Sequence, residues 1–181
     1  KEQFRASEGF PERLDNKTIN SEFLRQYYSG LATLALLEHA ELYQDVESYE
    51  VAYQSLVLLN QKVRASNDPI HPALIPWHVL ALAKHHRINE EPSFLQIIFE
   101  LTNYLTDLQT DRDFPGRFHS AKHPSFGQPN TTRDALTTLA LLHSLEIAST
   151  LDKARIAKRY RKMARLALEN LVSLQYRRGG V

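Results

Sequence analysis

The chain reads as an all-α protein of about three helical hairpins, and three observations lead there. The words "LALL" (Leu34 to Leu37), "LALA" (Leu80 to Ala83) and "LALL" (Leu139 to Leu142) each sit in a segment that is apolar nearly all round. Each is followed by a polar turn and then by a segment with one apolar stripe at helical spacing. No stretch reads as a β-strand. A helix greasy on most sides needs cover on most sides, so the first helix of each pair is expected inside. The one-faced second helix is expected to screen it from water.

The first hairpin is expected over 21–65. Asn20 or Ser21 can cap its opening helix, since a short polar side chain accepts a bond from the free amides of the first turn. Leu31 to Leu37 form its apolar run, far too short to cross a membrane. "YQDVES" turns the chain, and Tyr49, Ala52, Leu56, Leu59 and Val63 fall on one face of the second helix. "SNDPIHPALIP" (Ser66 to Pro76) then reads as an ordered loop, because its three prolines break helical bonding.

The second hairpin is expected over 75–109. Its inner run is Val79 to Ala83, followed by "RINEEPS". Pro92 or Ser93 opens a helix striped by Phe94, Ile97, Ile98, Leu101, Leu105 and Leu108. Thr110 to Asn130 is a long connection with three prolines and two glycines, and loops of that length in compact domains are often functional. The third hairpin, 130–175, begins at Asn130 or Thr131 and runs through Ala135 to Leu142. It turns at "STLDKA" and continues on the stripe Ile156, Tyr160, Met163, Ala167, Leu171 and Leu174. Gln61, Gln109 and Gln175 close the three outer helices, where an amide can satisfy free backbone groups.

The 181 residues suit one domain, 1–181, and 43% hydrophobic content is enough for a core. Basic and acidic side chains number 22 and 21, leaving +1, which does not suggest nucleic acid or a membrane surface as partner. The absence of cysteine excludes disulfides, thiolate metal sites and a thiol nucleophile. Both ends, Lys1 and "YRRGGV", read as cuts in a longer chain. A soluble protein is expected, its compartment undetermined, with a lean to the cytoplasm.

The inner and outer helices, with long loops at one end, resemble the α/α-toroid, the six-hairpin barrel of many glycoside hydrolases, sugar epimerases and polysaccharide lyases. Three short elements resemble bacterial toroid sequences near the sugar epimerases: "YYSGL" (Tyr27 to Leu31), "PWHVLAL" (Pro76 to Leu82) and "TTRDAL" (Thr131 to Leu136). Ser29 and Leu31 stand where that pattern has proline and a carboxylate, and Ala135 where it has glutamate. Three hairpins are half of such a ring.

The resemblance implies a ligand funnel at the inner-helix starts. Candidate catalytic residues there are His78, His119, Arg133 and Asp134; candidate substrate-binding residues are Tyr27, Tyr28, Trp77, Arg117 and Phe118. Aromatic rings stack on sugars, arginine grips carboxylates at two points, and histidine or a carboxylate moves protons. The alternative for each is structural: Trp77 plugs a core, His78 is a buried imidazole, and Arg133 with Asp134 serve a helix start. Glu22, Asp111, Asp113 and Asp134 show no spacing diagnostic of paired glycosidase carboxylates. "HSAKH" places His119 and His123 four apart, but prolines and glycines surround it and no third ligand is evident, so no metal is assigned. His85 and His86 read as a helix end. No cofactor is expected.

Two functions follow. The first is a carbohydrate-active toroid domain, epimerase- or lyase-like, that takes a saccharide or glycan in its funnel. The second is a non-catalytic helical-repeat module. It would present its concave face or its basic outer helix to a protein; that helix, Asp152 to Arg165, is either a solvated face or a dock for an acidic partner or a membrane surface.

Overall fold

The computed structural model describes residues 22–65, 70–110, 115–123 and 130–178, with the side chains of 22–28 and 175–178 outside that description. Among the described residues there are six helices: α1 (Glu22–Tyr43), α2 (Val46–Ala65), α3 (Ile75–Ile88), α4 (Pro92–Asp107), α5 (Thr131–Thr150) and α6 (Ala154–Arg178). No strand forms among them; one isolated antiparallel bridge joins Gln109 and Phe118. The fold class is therefore all-α. No described helix is long and apolar enough to cross a membrane. The chain divides into two compact units, Lys1–Ile98 and Phe99–Val181, with the boundary inside α4.

In the first unit α1 packs on both α2 and α3. Gly30, Thr33, Leu37 and Ala40 are its buried positions, a stripe at helical spacing. The all-round cover expected of this segment is incomplete: Leu31 and Ala35 are exposed, and Leu34 and Leu36 are half-buried. α3 does have the expected cover. From Ile75 to His85 only Trp77 escapes full burial. Lys84 is buried along its stem, and its Nζ lies 2.6 Å from Glu38 and 2.6 Å from Glu41, tying α3 to α1. Thr33 Oγ1 sits 2.7 Å from the Ser55 hydroxyl, a buried polar contact between α1 and α2.

The α1–α2 turn is short because Gln44 takes a left-handed φ of 55°. Its amide donates to the Glu41 carbonyl at 2.8 Å. Asp45 then caps α2. Its Oδ1 accepts from the backbone amides of Glu47 at 3.1 Å and Ser48 at 3.4 Å, and its Oδ2 from the Ser48 hydroxyl at 2.8 Å.

In the second unit α5 packs on α6. The α6 stripe is centred on Ala157, Tyr160, Ala164 and Ala167, which are buried. Of the residues expected to form it, Ile156, Met163, Leu171 and Leu174 are half-buried flanks. Three alanines in that stripe let the two axes approach closely. The Tyr160 hydroxyl lies 3.2 Å from the Phe99 carbonyl and 3.2 Å from Asn103 Oδ1, and burial pushes the phenol well above its ordinary pKa. Thr102 and Ser144 hydroxyls meet at 2.7 Å between α4 and α5. α5 lacks the all-round cover expected of it, since Leu139 and Leu142 are exposed.

Candidate functional site

Of the residues expected at the funnel, Tyr27 and Tyr28 lie on α1, but their side chains fall outside the described residues. Asp111 and Asp113 fall outside as well. Trp77 and His78 stand on the first turn of α3, which has Pro76 near its start and no side-chain cap. Trp77 is half-buried and His78 buried. Gly30 brings α1 against them. A Cβ there would lie 2.9 Å from Trp77 Cβ and 3.1 Å from both the backbone nitrogen and Nδ1 of His78. The "YYSG" and "PWH" elements therefore do meet, through a glycine whose missing side chain makes room.

The second unit assembles the larger group. Leu108 to Thr110 run antiparallel to Arg117 to His119 and close a turn with them. Thr110 N–H donates to Arg117 O at 2.8 Å, and His119 N–H donates to Leu108 O at 2.8 Å. Gln109 Nε2 fastens this turn to α6 by donating to Met163 O at 2.9 Å. It thus serves a backbone carbonyl, as expected of the closing glutamines, although mid-helix rather than at an end. Gly116, at φ +88°, lies so near α6 that a Cβ would come within 2.1 Å of the Leu166 carbonyl oxygen. The turn carries Arg117, Phe118 and His119 towards the start of α5.

That start is capped by Asn130, whose side-chain oxygen accepts from Arg133 N–H at 3.0 Å. One turn in, Asp134 is almost wholly buried. Its Oδ2 accepts from Arg117 Nε at 3.1 Å, while Oδ1 has no hydrogen-bond partner. Burial pushes the Asp134 carboxyl above the usual carboxylate range, against the opposing pull of Arg117 and Arg133. Burial also lowers the half-buried Arg133, which the Asp134 charge counters and the Arg117 charge reinforces. Arg117 bonds this carboxylate directly, and the Arg133 charge acts on it from the neighbouring position. A guanidinium can hold a carboxylate at two points.

Three expected residues thus converge, Arg117, Arg133 and Asp134, and Phe118 follows Arg117 in the chain. Their roles differ from the expectation in one respect. Phe118 is a core ring, fully buried, so it anchors the turn and is not placed to stack on a ligand. His119 is exposed and His123 half-buried on the same segment. Among the described residues no group of three or more histidine or acidic side chains gathers as a metal site.

Sequence reasoning missed a third cluster, in the first unit. His85, expected at a polar helix end, is completely buried. Its Nε2 lies 3.1 Å from the Tyr49 hydroxyl. The Tyr49 and Tyr53 rings stand 5.8 Å away on centroids, and Phe94 approaches edge-on at 5.1 Å. Tyr49 and Phe94 both stand on predicted stripes, and that was the available signal. No family model matches this chain. No curated relative matches it, and no solved structure does.

Proposed function

We propose that the chain binds an acidic saccharide or glycan beside the Arg117–Asp134 pair, where the 115–123 segment meets the first turn of α5. The observation that carries this is the Arg117–Asp134 pair itself: an arginine bonded to a buried carboxylate at a helix start, with the Arg133 charge acting on the same carboxylate. A uronic acid carries an anion of the planar geometry arginine prefers. In this reading the hairpins belong to an α/α-toroid, and epimerase- or lyase-like turnover would use His119 as the proton carrier. His119 is exposed to solvent, whereas His78 and Asp134 are buried.

The test is a thermal-shift and calorimetric comparison of uronic-acid oligosaccharides with neutral ones. At a hundredfold excess over Kd the acidic ligands should add about 2.7 kcal/mol, roughly 5–10 °C in Tm. Arg133→Ala should abolish the gain. Equal response to neutral and acidic sugars, or none to either, would sink the reading.

A further inference from the structure

The near-zero net charge conceals two oppositely charged surfaces. Residues 38–50 contain Glu38, Glu41, Asp45, Glu47 and Glu50 and no lysine or arginine; Lys84 of α3 neutralises part of this charge at Glu38 and Glu41, leaving Glu47 and Glu50 exposed beyond it. Residues 153–165 contain seven lysines and arginines and no acidic residue, and every one of the seven is exposed. Each charged region also surrounds apolar surface.

At the acidic region the α1–α2 turn projects Leu42, Tyr43 and Val46, which are 73%, 67% and 69% exposed. Large apolar side chains so bare and so close together mark a contact surface. The projection is stiff. Gln44 closes on the Glu41 carbonyl and Asp45 caps α2 with three hydrogen bonds, so little ordering remains to be done on binding.

At the basic region α5 and α6 enclose a groove of about 610 Å³. Leu142, Leu145, Ala164, Leu168 and Val172 line it, with Arg161 and Arg165 alongside. Arg165 is paired with Glu169 at 2.7 Å on the open surface, while no such pair satisfies Arg161 among the described ion pairs. The groove is the size of pockets that accept several side chains.

We propose that the α1–α2 turn of one copy of this chain seats in the α5–α6 groove of a second copy. Leu42 and Val46 enter the groove, and Glu47 and Glu50 face the basic surface of α6. The two patches are different surfaces of one chain, so the contact is head-to-tail. It repeats along a row of copies unless the rotation closes a ring. The inference is independent of the saccharide reading, which concerns other residues.

Sedimentation of the whole chain over a concentration series tests it. The weight-average mass should rise with concentration at low salt, and the rise should weaken on adding salt, which screens the charge pairing. Two variants locate the contact: a groove variant, Arg161→Glu with Arg165→Glu, and a turn variant, Leu42→Lys with Val46→Lys. Each alone should stay monomeric. Mixed in equal amounts they should form one-to-one dimers and nothing larger, because only one intact turn and one intact groove remain per pair. That dimer also shows that both variants fold. If a turn variant does not fold, Glu47→Lys with Glu50→Lys replaces it. A wild-type chain still monomeric at about 0.5 mM, where any contact tighter than millimolar would register, overturns the proposal. So do variants that associate as the wild type does, and so does a mixture that stays monomeric.

Discussion

Arg117→Ala should destabilise the protein strongly at neutral pH and much less in acid. In the folded chain the Asp134 side chain is 2% exposed and that of Arg117 is 12%. Removing one partner of a buried pair leaves the other charge uncompensated, at about 3–5 kcal/mol. That corresponds to a fall in Tm of roughly 6–20 °C for a chain of this size. The pH dependence follows from the raised carboxyl. A group whose pKa is higher in the folded than in the unfolded state contributes stability fully below its unfolded value. It loses that contribution as pH rises through the folded value. Burial already raises Asp134, and Arg117 is the largest influence holding it down. Without Arg117 the carboxyl keeps its proton to higher pH, so the deficit against wild type should shrink as pH is lowered towards about 4. Thermal unfolding followed by circular dichroism at several pH values measures it. Asp134→Asn added to Arg117→Ala should recover much of the loss, since no buried charge then remains. A deficit that does not change with pH, or two substitutions whose effects simply add, would refute the account.

Gly116→Ala should cost about 2–4 kcal/mol, because a left-handed φ and a collision with the α6 backbone act together. Hydrogen exchange at the Thr110 and His119 amides should speed up as the turn lifts from α6; an unchanged Tm and unchanged exchange would show that the turn sits elsewhere. His85→Phe should flatten the acid limb of the stability profile. Burial lowers the His85 pKa, with Glu91 opposing and His86 assisting, so its neutral form contributes stability above its unfolded value of about 6.5 that is lost as pH falls through the folded one. The variant gives up the Tyr49 hydrogen bond, about 1 kcal/mol, and parallel pH profiles for variant and wild type would dismiss the effect.

Helical periodicity was the most legible signal in this sequence. Stripes such as Phe94, Ile97, Ile98, Leu101 and Leu105 encode which face is dry, and all five are buried. Depth was less legible. "LATLALL" and "LALA" look alike as words, yet α3 is enclosed and α1 is not, because cover depends on which helices lie beside each. The α6 stripe shifted onto alanines for a related reason: close approach favours small residues over large ones. At the site, Arg133 and Asp134 were visible as a helix start. Their junction with Arg117 was foreseen only as a shared neighbourhood, since the turn that carries it depends on Gly116 and Gln109 gripping α6. His85 was misread because a basic residue near a helix end is ordinarily wet. Its aromatic enclosure comes from Tyr49, Tyr53 and Phe94, distant in sequence.

The seams between helices carry an evolutionary constraint. Thr33 with Ser55, and Thr102 with Ser144, meet hydroxyl to hydroxyl in a dry interior. Thr33 and Ser55 each keep a second contact at Ser29, so either can be lost at small cost. Exchanging Thr102 for alanine strands Ser144, at about 1–3 kcal/mol, while exchanging both is closer to neutral. A lineage that leaves the second seam through Thr102 must therefore cross a disfavoured intermediate, and one modest contact can persist long after it has ceased to matter much for stability.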